Sequence, residues 1–107
     1  MMMSKSTYLD FLGLAMRAGK LTVGEESIVK DIQSNRAKLV LYANDTGKQT
    51  KKKLNDKCSF YQIPIFEVDD RQTISQAIGK SGRVAIAVVD KGFAKKMQSL
   101  LDETNRG

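Results

Sequence analysis

The run Leu21-Thr22-Val23-Gly24-Glu25-Glu26-Ser27-Ile28-Val29-Lys30 joins a short extended segment to a helix through a single glycine. The first turn of any helix carries unpaired backbone N–H groups and a partial positive charge, so it attracts anions. A phosphate or the edge of a nucleobase fits such an end. Glu25 and Glu26 stand in that same turn, where they suit the helix dipole but compete with an anionic ligand. Gly24 reads either as a plain helix-entry residue or as a point of close approach by a ligand backbone. Lys30, one turn on, is either a solvated helical lysine or a phosphate partner.

Groups for bond-making chemistry are missing. The chain has no histidine, so a zinc site or a histidine base would need residues it lacks. Gly79-Lys80-Ser81 falls far short of a full Walker motif, and no nucleophile–base pair stands out. A small α/β enzyme or nucleotide-binding domain is therefore the least favoured class, and no cofactor is expected. The lone Cys58 excludes an internal disulfide and points to a reducing compartment. Its place in an apolar stripe makes it a core residue. The longest apolar run, Val84 to Val89, is too short to span a bilayer, and no secretory signal opens the chain. A soluble, cytoplasmic protein is expected.

The net charge is +6, from 18 basic and 12 acidic residues, and it is unevenly spread. Arg17 to Lys57 holds ten basic and five acidic residues, whereas residues 58–107 are nearly balanced. Such a concentration fits either a polyanion-binding surface or a lysine-rich solvated face. Lys51, Lys52 and Lys53 read as a solvated helix face whose role is long-range steering, because their helix need not border the start of the one after Gly24.

Elements must hold these residues in place. At 107 residues, 41% of them hydrophobic, the chain is expected to form one domain around one core. After a loose start over Met1 to Ser6, Tyr8, Leu9, Leu12, Ala15 and Met16 recur at helical spacing, predicting a helix from Ser6 to Ala18. Lys20 to Val23 is a candidate edge strand. Thr22 and Glu25 have the spacing of a capping box, which would start the second helix a residue or two before Gly24. Leu39 to Ala43 reads as a buried strand, and Asn44-Asp45-Thr46-Gly47 as a loop that caps the next helix. That helix turns Leu54, Cys58 and Tyr61 inward. Ile65 to Val68 is a third strand, and Asp69 or Asp70 caps a short helix. Val84 to Val89 is an apolar strand, followed by an Asp90-capped helix. Alternating helices and strands, with the last strand apolar on both faces, predict a three-layer α/β/α sandwich around a central sheet.

Four segments, in order, resemble the kink-turn RNA-binding ribosomal protein family, most closely its small bacterial YlxQ-like branch. They are Arg17-Ala18-Gly19-Lys20-Leu21 with Val23-Gly24 and Lys30, Ala37-Lys38-Leu39-Val40-Leu41 with Ala43-Asn44-Asp45, Ala77 to Val84, and Asp90-Lys91-Gly92-Phe93-Ala94. The likeness runs from about Tyr8 to Leu101. It implies a mixed, roughly four-stranded sheet, no catalysis, and a structured RNA as partner, either ribosomal RNA or an RNA containing a kink-turn. Ribosomal proteins are further candidate partners, and neither a membrane nor DNA is expected.

The resemblance also implies a mode of recognition, in which the second helix's N-terminus and the loop before the last strand together grip a sharply bent RNA. By that likeness Gly24 admits the RNA backbone, Glu26 and Ser27 read base edges, and Lys30 meets a phosphate. Lys80, Ser81, Gly82 and Arg83 form a second wall, with Arg83 as the bidentate phosphate partner. Glu25, Lys38 and Asn44 complete the candidate set, although Asn44 with Asp45 also reads as closing a turn. Two positions depart from the family pattern. Glu26 stands where many members have an amide or lysine, and Gly82 where a bulky apolar residue often covers an extruded base. Both imply weaker or altered kink-turn binding. The competing reading is a docking module for a ribosomal or translation-factor protein, with Glu25 and Glu26 facing a basic partner.

Overall fold

A computed structural model describes residues 4–106, with side chains over residues 7–103. Helix α1 spans Ser4–Arg17, strand β1 Leu21–Val23, α2 Glu25–Gln33 and β2 Leu39–Ala43. There follow α3 (Lys48–Tyr61), β3 (Ile65–Val68), α4 (Arg71–Ala77), β4 (Ala85–Val88) and α5 (Lys91–Arg106). The strands form a mixed sheet in the order β1-β4-β2-β3. β4 runs antiparallel to both β1 and β2, and β2 runs parallel to β3.

Period-two alternation in the two central strands divides the core between the sheet's faces. Leu39, Leu41, Ala43, Ile86 and Val88 pack with Tyr8, Leu12, Ile74, Met97 and Leu101, so α1, α4 and α5 cover that face. Val40, Tyr42, Ala85 and Ala87 pack with Ile28, Ile32, Leu54 and Cys58, so α2 and α3 cover the other. All five β2 residues and all four β4 residues are buried. This is the three-layer sandwich that the alternating elements predict. Burial pushes the Cys58 thiol up to about 11, so the core cysteine stays protonated and unreactive at neutral pH.

Several local expectations are corrected. The first helix begins at Ser4, so the loose start does not extend to Ser6; residues 1–3 lie outside the described residues. The capping box does not form. Thr22 stays in β1 and its Oγ1 donates to Asp31 Oδ2 at 2.6 Å, drawn across to the far end of α2. Gly24 is the N-cap and α2 starts at Glu25. Nor does a side chain cap α3, whose N-cap is Gly47. Thr46 is buried instead, and its hydroxyl donates back to Ala43 O at 2.6 Å. The two aspartate caps do form: Asp70 Oδ1 accepts from Thr73 N at 2.8 Å, and Asp90 Oδ2 from Phe93 N at 2.9 Å.

Candidate functional site

The β1–β4 register decides which loops meet. Val23 pairs with Ile86, so the chain leaving β1 at Gly24 runs beside the chain entering β4 through Val84 and Ala85. The start of α2 and the 79–83 loop therefore emerge together at one end of the sheet. Ala43 N donates to Val84 O at 2.8 Å, which brings the β2–α3 turn, with Asn44, to the same end.

Gly24 has φ +100°, a conformation open to glycine and strained for any other residue. Its carbonyl accepts the first helical bond, from Ile28 N at 3.0 Å. The N–H groups of Glu25, Glu26 and Ser27 have no intrahelical acceptor, and no side chain caps them. This is an open donor cluster at the positive end of the helix dipole.

The two carboxylates of that turn have different surroundings. Glu25 is tied to α3: its Oε2 accepts from Lys53 Nζ at 2.7 Å and its Oε1 from Thr50 Oγ1 at 3.3 Å. The Lys53 hydrogen bond holds its carboxyl below the usual range. A depressed folded pKa stabilises the fold above the unfolded value, and that stabilisation disappears as pH falls through the folded one. Lys53→Met should raise the Glu25 titration toward the ordinary carboxylate range, seen in its side-chain carboxyl NMR shift; an unchanged titration would contradict the pairing. Glu26 and Ser27 are exposed and lack side-chain partners among the described residues. Lys30 is also exposed, and no ion pair joins it to Glu26 despite their four-residue spacing. Glu25, Glu26, Val29, Lys30 and Lys53 line a groove of about 350 Å³.

The lysine-rich helix, which need not border the start of α2 on the sequence alone, does border it. α2 and α3 lie side by side on one sheet face, and Lys53 reaches the first turn of α2 directly.

The second wall is held by a residue that carries no signal in the sequence. Ser75, only 2% exposed, donates its hydroxyl to Arg83 O at 3.1 Å and accepts from Arg83 N at 2.8 Å. Its own carbonyl accepts from Lys80 N at 2.9 Å. Both ends of the loop therefore hang on one α4 residue, while Lys80, Ser81 and Gly82 remain exposed. Gly79 and Gly82 supply the positive-φ turns, at +72° and +66°. Arg83 is partly buried, and its Nε is walled off without a partner, so any outside acceptor must meet the terminal nitrogens. Ser75→Ala should cost about 1–2 kcal/mol in thermal unfolding, because it strands a buried N–H and a carbonyl. No loss of stability would mean that the loop holds itself.

Asn44 is exposed at the rim of this face, its backbone N–H donating to Asp69 O at 3.1 Å. Asp45 faces α4, where Arg71 N donates to its Oδ1 at 3.0 Å. Lys38 is not part of the assembly. It precedes β2 at the opposite end of the sheet, donating its backbone N–H to Val88 O at 2.8 Å and its Nζ to Asn35 O at 2.7 Å. Among the described residues, no cluster of three or more metal-ligating side chains occurs, and no helix is long and apolar enough to cross a membrane.

Comparison with known proteins agrees with this architecture. Residues 7–98 match the family model described as ribosomal protein L7Ae/L30e/S12e/Gadd45 family. The chain is 46% identical to the RNA-binding protein YlxQ of Bacillus subtilis over 94% of its own length and all of that protein's. It is 48% identical to the RNA-binding protein YlxQ of Enterococcus faecium, covering 88% of this chain and 90% of that one. A solved structure from Bacillus halodurans, of a protein with unknown function, superposes with TM-score 0.86 at 49% identity, covering 89% of this chain and 96% of that one. With that length of match and those identities, the chain belongs to the ribosomal protein L7Ae/L30e/S12e/Gadd45 family.

Proposed function

We propose that this protein is one RNA-binding domain that recognises a kinked or bulged RNA of the kink-turn type in the cytoplasm, in association with the ribosome. The observation that carries the reading is the juxtaposition, through the β1–β4 register, of the uncapped α2 N-terminus and the Ser75-pinned loop. The family is not an enzymatic one, and the relatives named as RNA-binding proteins match nearly the whole chain.

The face suits a bend better than a regular helix. A-form RNA hides its base edges in a deep, narrow groove, and a kink or bulge presents them to side chains. Backbone donors of Glu25 to Ser27 and the ends of Lys30 and Arg83 supply phosphate contacts that fix register, while Glu26 and Ser27 meet base edges. Glu26 in its ionised form can only accept, so it selects an amino group and disfavours the acceptor edge of guanine. Internal neutralisation of Glu25 by Lys53 removes one of the two repulsive charges facing the RNA. That pairing also leaves a docking module for a basic protein with half of its acidic pair already engaged.

The test is direct binding to a kink-turn RNA beside the same RNA with its tandem G·A pairs replaced by Watson–Crick pairs. Tighter binding to the kinked form is expected. Equal affinity would reduce the interaction to nonspecific basic attraction. Co-sedimentation with ribosomes in a nuclease-free gradient tests the association, and its absence would place the RNA elsewhere.

A further inference from the structure

The outer face of α3 carries the one strongly exposed aromatic ring among the described residues, and the site above does not use it. Phe60 is 79% exposed and sits edge-to-face against Tyr61, with ring centroids 4.9 Å apart. Together with Lys52, Lys53 and Lys57 these two rings line a groove of about 620 Å³. Lys53, Lys57 and Phe60 follow at helical spacing, so they form one stripe on the helix, about 10 Å long over two turns. Lys53 belongs to both grooves, so the stripe continues from the α2 site without a break.

Charge on this stripe favours an anionic occupant. Asp56 is its acid, and Lys52 already answers it at 2.9 Å. Lys57 has no ion-pair partner among the described residues. What remains is unmatched positive charge leading to a flat ring held open to solvent. Nucleic-acid strands are gripped in that way, with phosphates on lysines and a base face on an aromatic ring. Paired bases keep their faces inside the stack, so the strand must be unpaired.

We propose that α3 holds an unpaired strand of the same RNA, with a phosphate at Lys57 and a base stacked on Phe60. This rests on the RNA-binding reading above, and extends it from a bend alone to a bend with a single-stranded extension.

The experiment uses a kink-turn RNA with a single-stranded tail of about four nucleotides on either end, beside the trimmed RNA. Wild-type protein should bind a tailed form about tenfold more tightly than the trimmed one, and Phe60→Ala should abolish that difference. The trimmed RNA should bind both proteins alike. The sequence has no tryptophan, so Phe60→Trp introduces a sole indole, whose fluorescence the tailed RNA should quench and the trimmed RNA should not. Equal binding of tailed and trimmed RNAs by wild type would overturn the proposal. So would a tail preference that survives Phe60→Ala, which would leave the ring to a protein partner. In those cases Lys30→Ala still weakens binding and the bend reading stands. If wild type fails to prefer the kinked RNA at all, the bend reading falls first and takes this one with it.

Discussion

Alanine at Lys30 or at Arg83 is expected to weaken kink-turn RNA binding about tenfold each, the cost of one charge-assisted hydrogen bond. The slope of log affinity against log salt should become shallower by about 0.7–0.9 for every phosphate no longer neutralised. The two residues reach the face by different routes, one a turn into α2 and the other at the foot of the Ser75-held loop. Their effects should therefore add in the double variant, as they do for sites without shared partners. Lys95→Ala, on the far side of the sheet, removes the same charge from an exposed position on α5 and should change little. Equal losses in all three single variants, measured by filter binding across a salt series, would refute a defined face.

Gly13→Val is expected to destabilise the fold by about 3 kcal/mol, a fall in melting temperature on the order of 10 °C. Intrinsic preference points the other way, since any ordinary side chain suits a helix interior better than glycine. Packing decides the sign. A Cβ on Gly13 would lie 2.8 Å from the backbone oxygen of Ala77, so α4 must move before any side chain fits. Because α4 carries Ser75, the movement should also loosen the loop ending at Arg83. RNA affinity should then fall at temperatures where the variant is still folded. An unchanged melting temperature in circular dichroism would show that α4 slides freely on α1.

Strands are easy to read in this chain because their burial is written locally. Leu39 to Ala43 and the run around Ala85 to Val88 are apolar at every position, and burial on both faces follows. Asp70 and Asp90 are legible for the same reason, since each cap acts within three residues. The failures share a cause. Thr22 has local cap spacing, yet it finds a better partner once tertiary structure forms, the Asp31 carboxylate near the other end of α2. Lys53 cannot be connected with Glu25 across 28 residues until α2 and α3 are known to share a face. Lys38 looks like part of a contiguous basic stretch, but strand direction carries it to the opposite end of the sheet. Ser75 gives no signal at all, as a serine in a short helix is ordinary until its neighbour at Arg83 is seen.

Since Ser75 grips the loop only through main-chain atoms of Lys80 and Arg83, the side chains at Lys80 and Ser81 carry no architectural duty. If that loop meets RNA as proposed, taste for a particular RNA can drift at those two positions while the scaffold beneath them stays as sturdy as before.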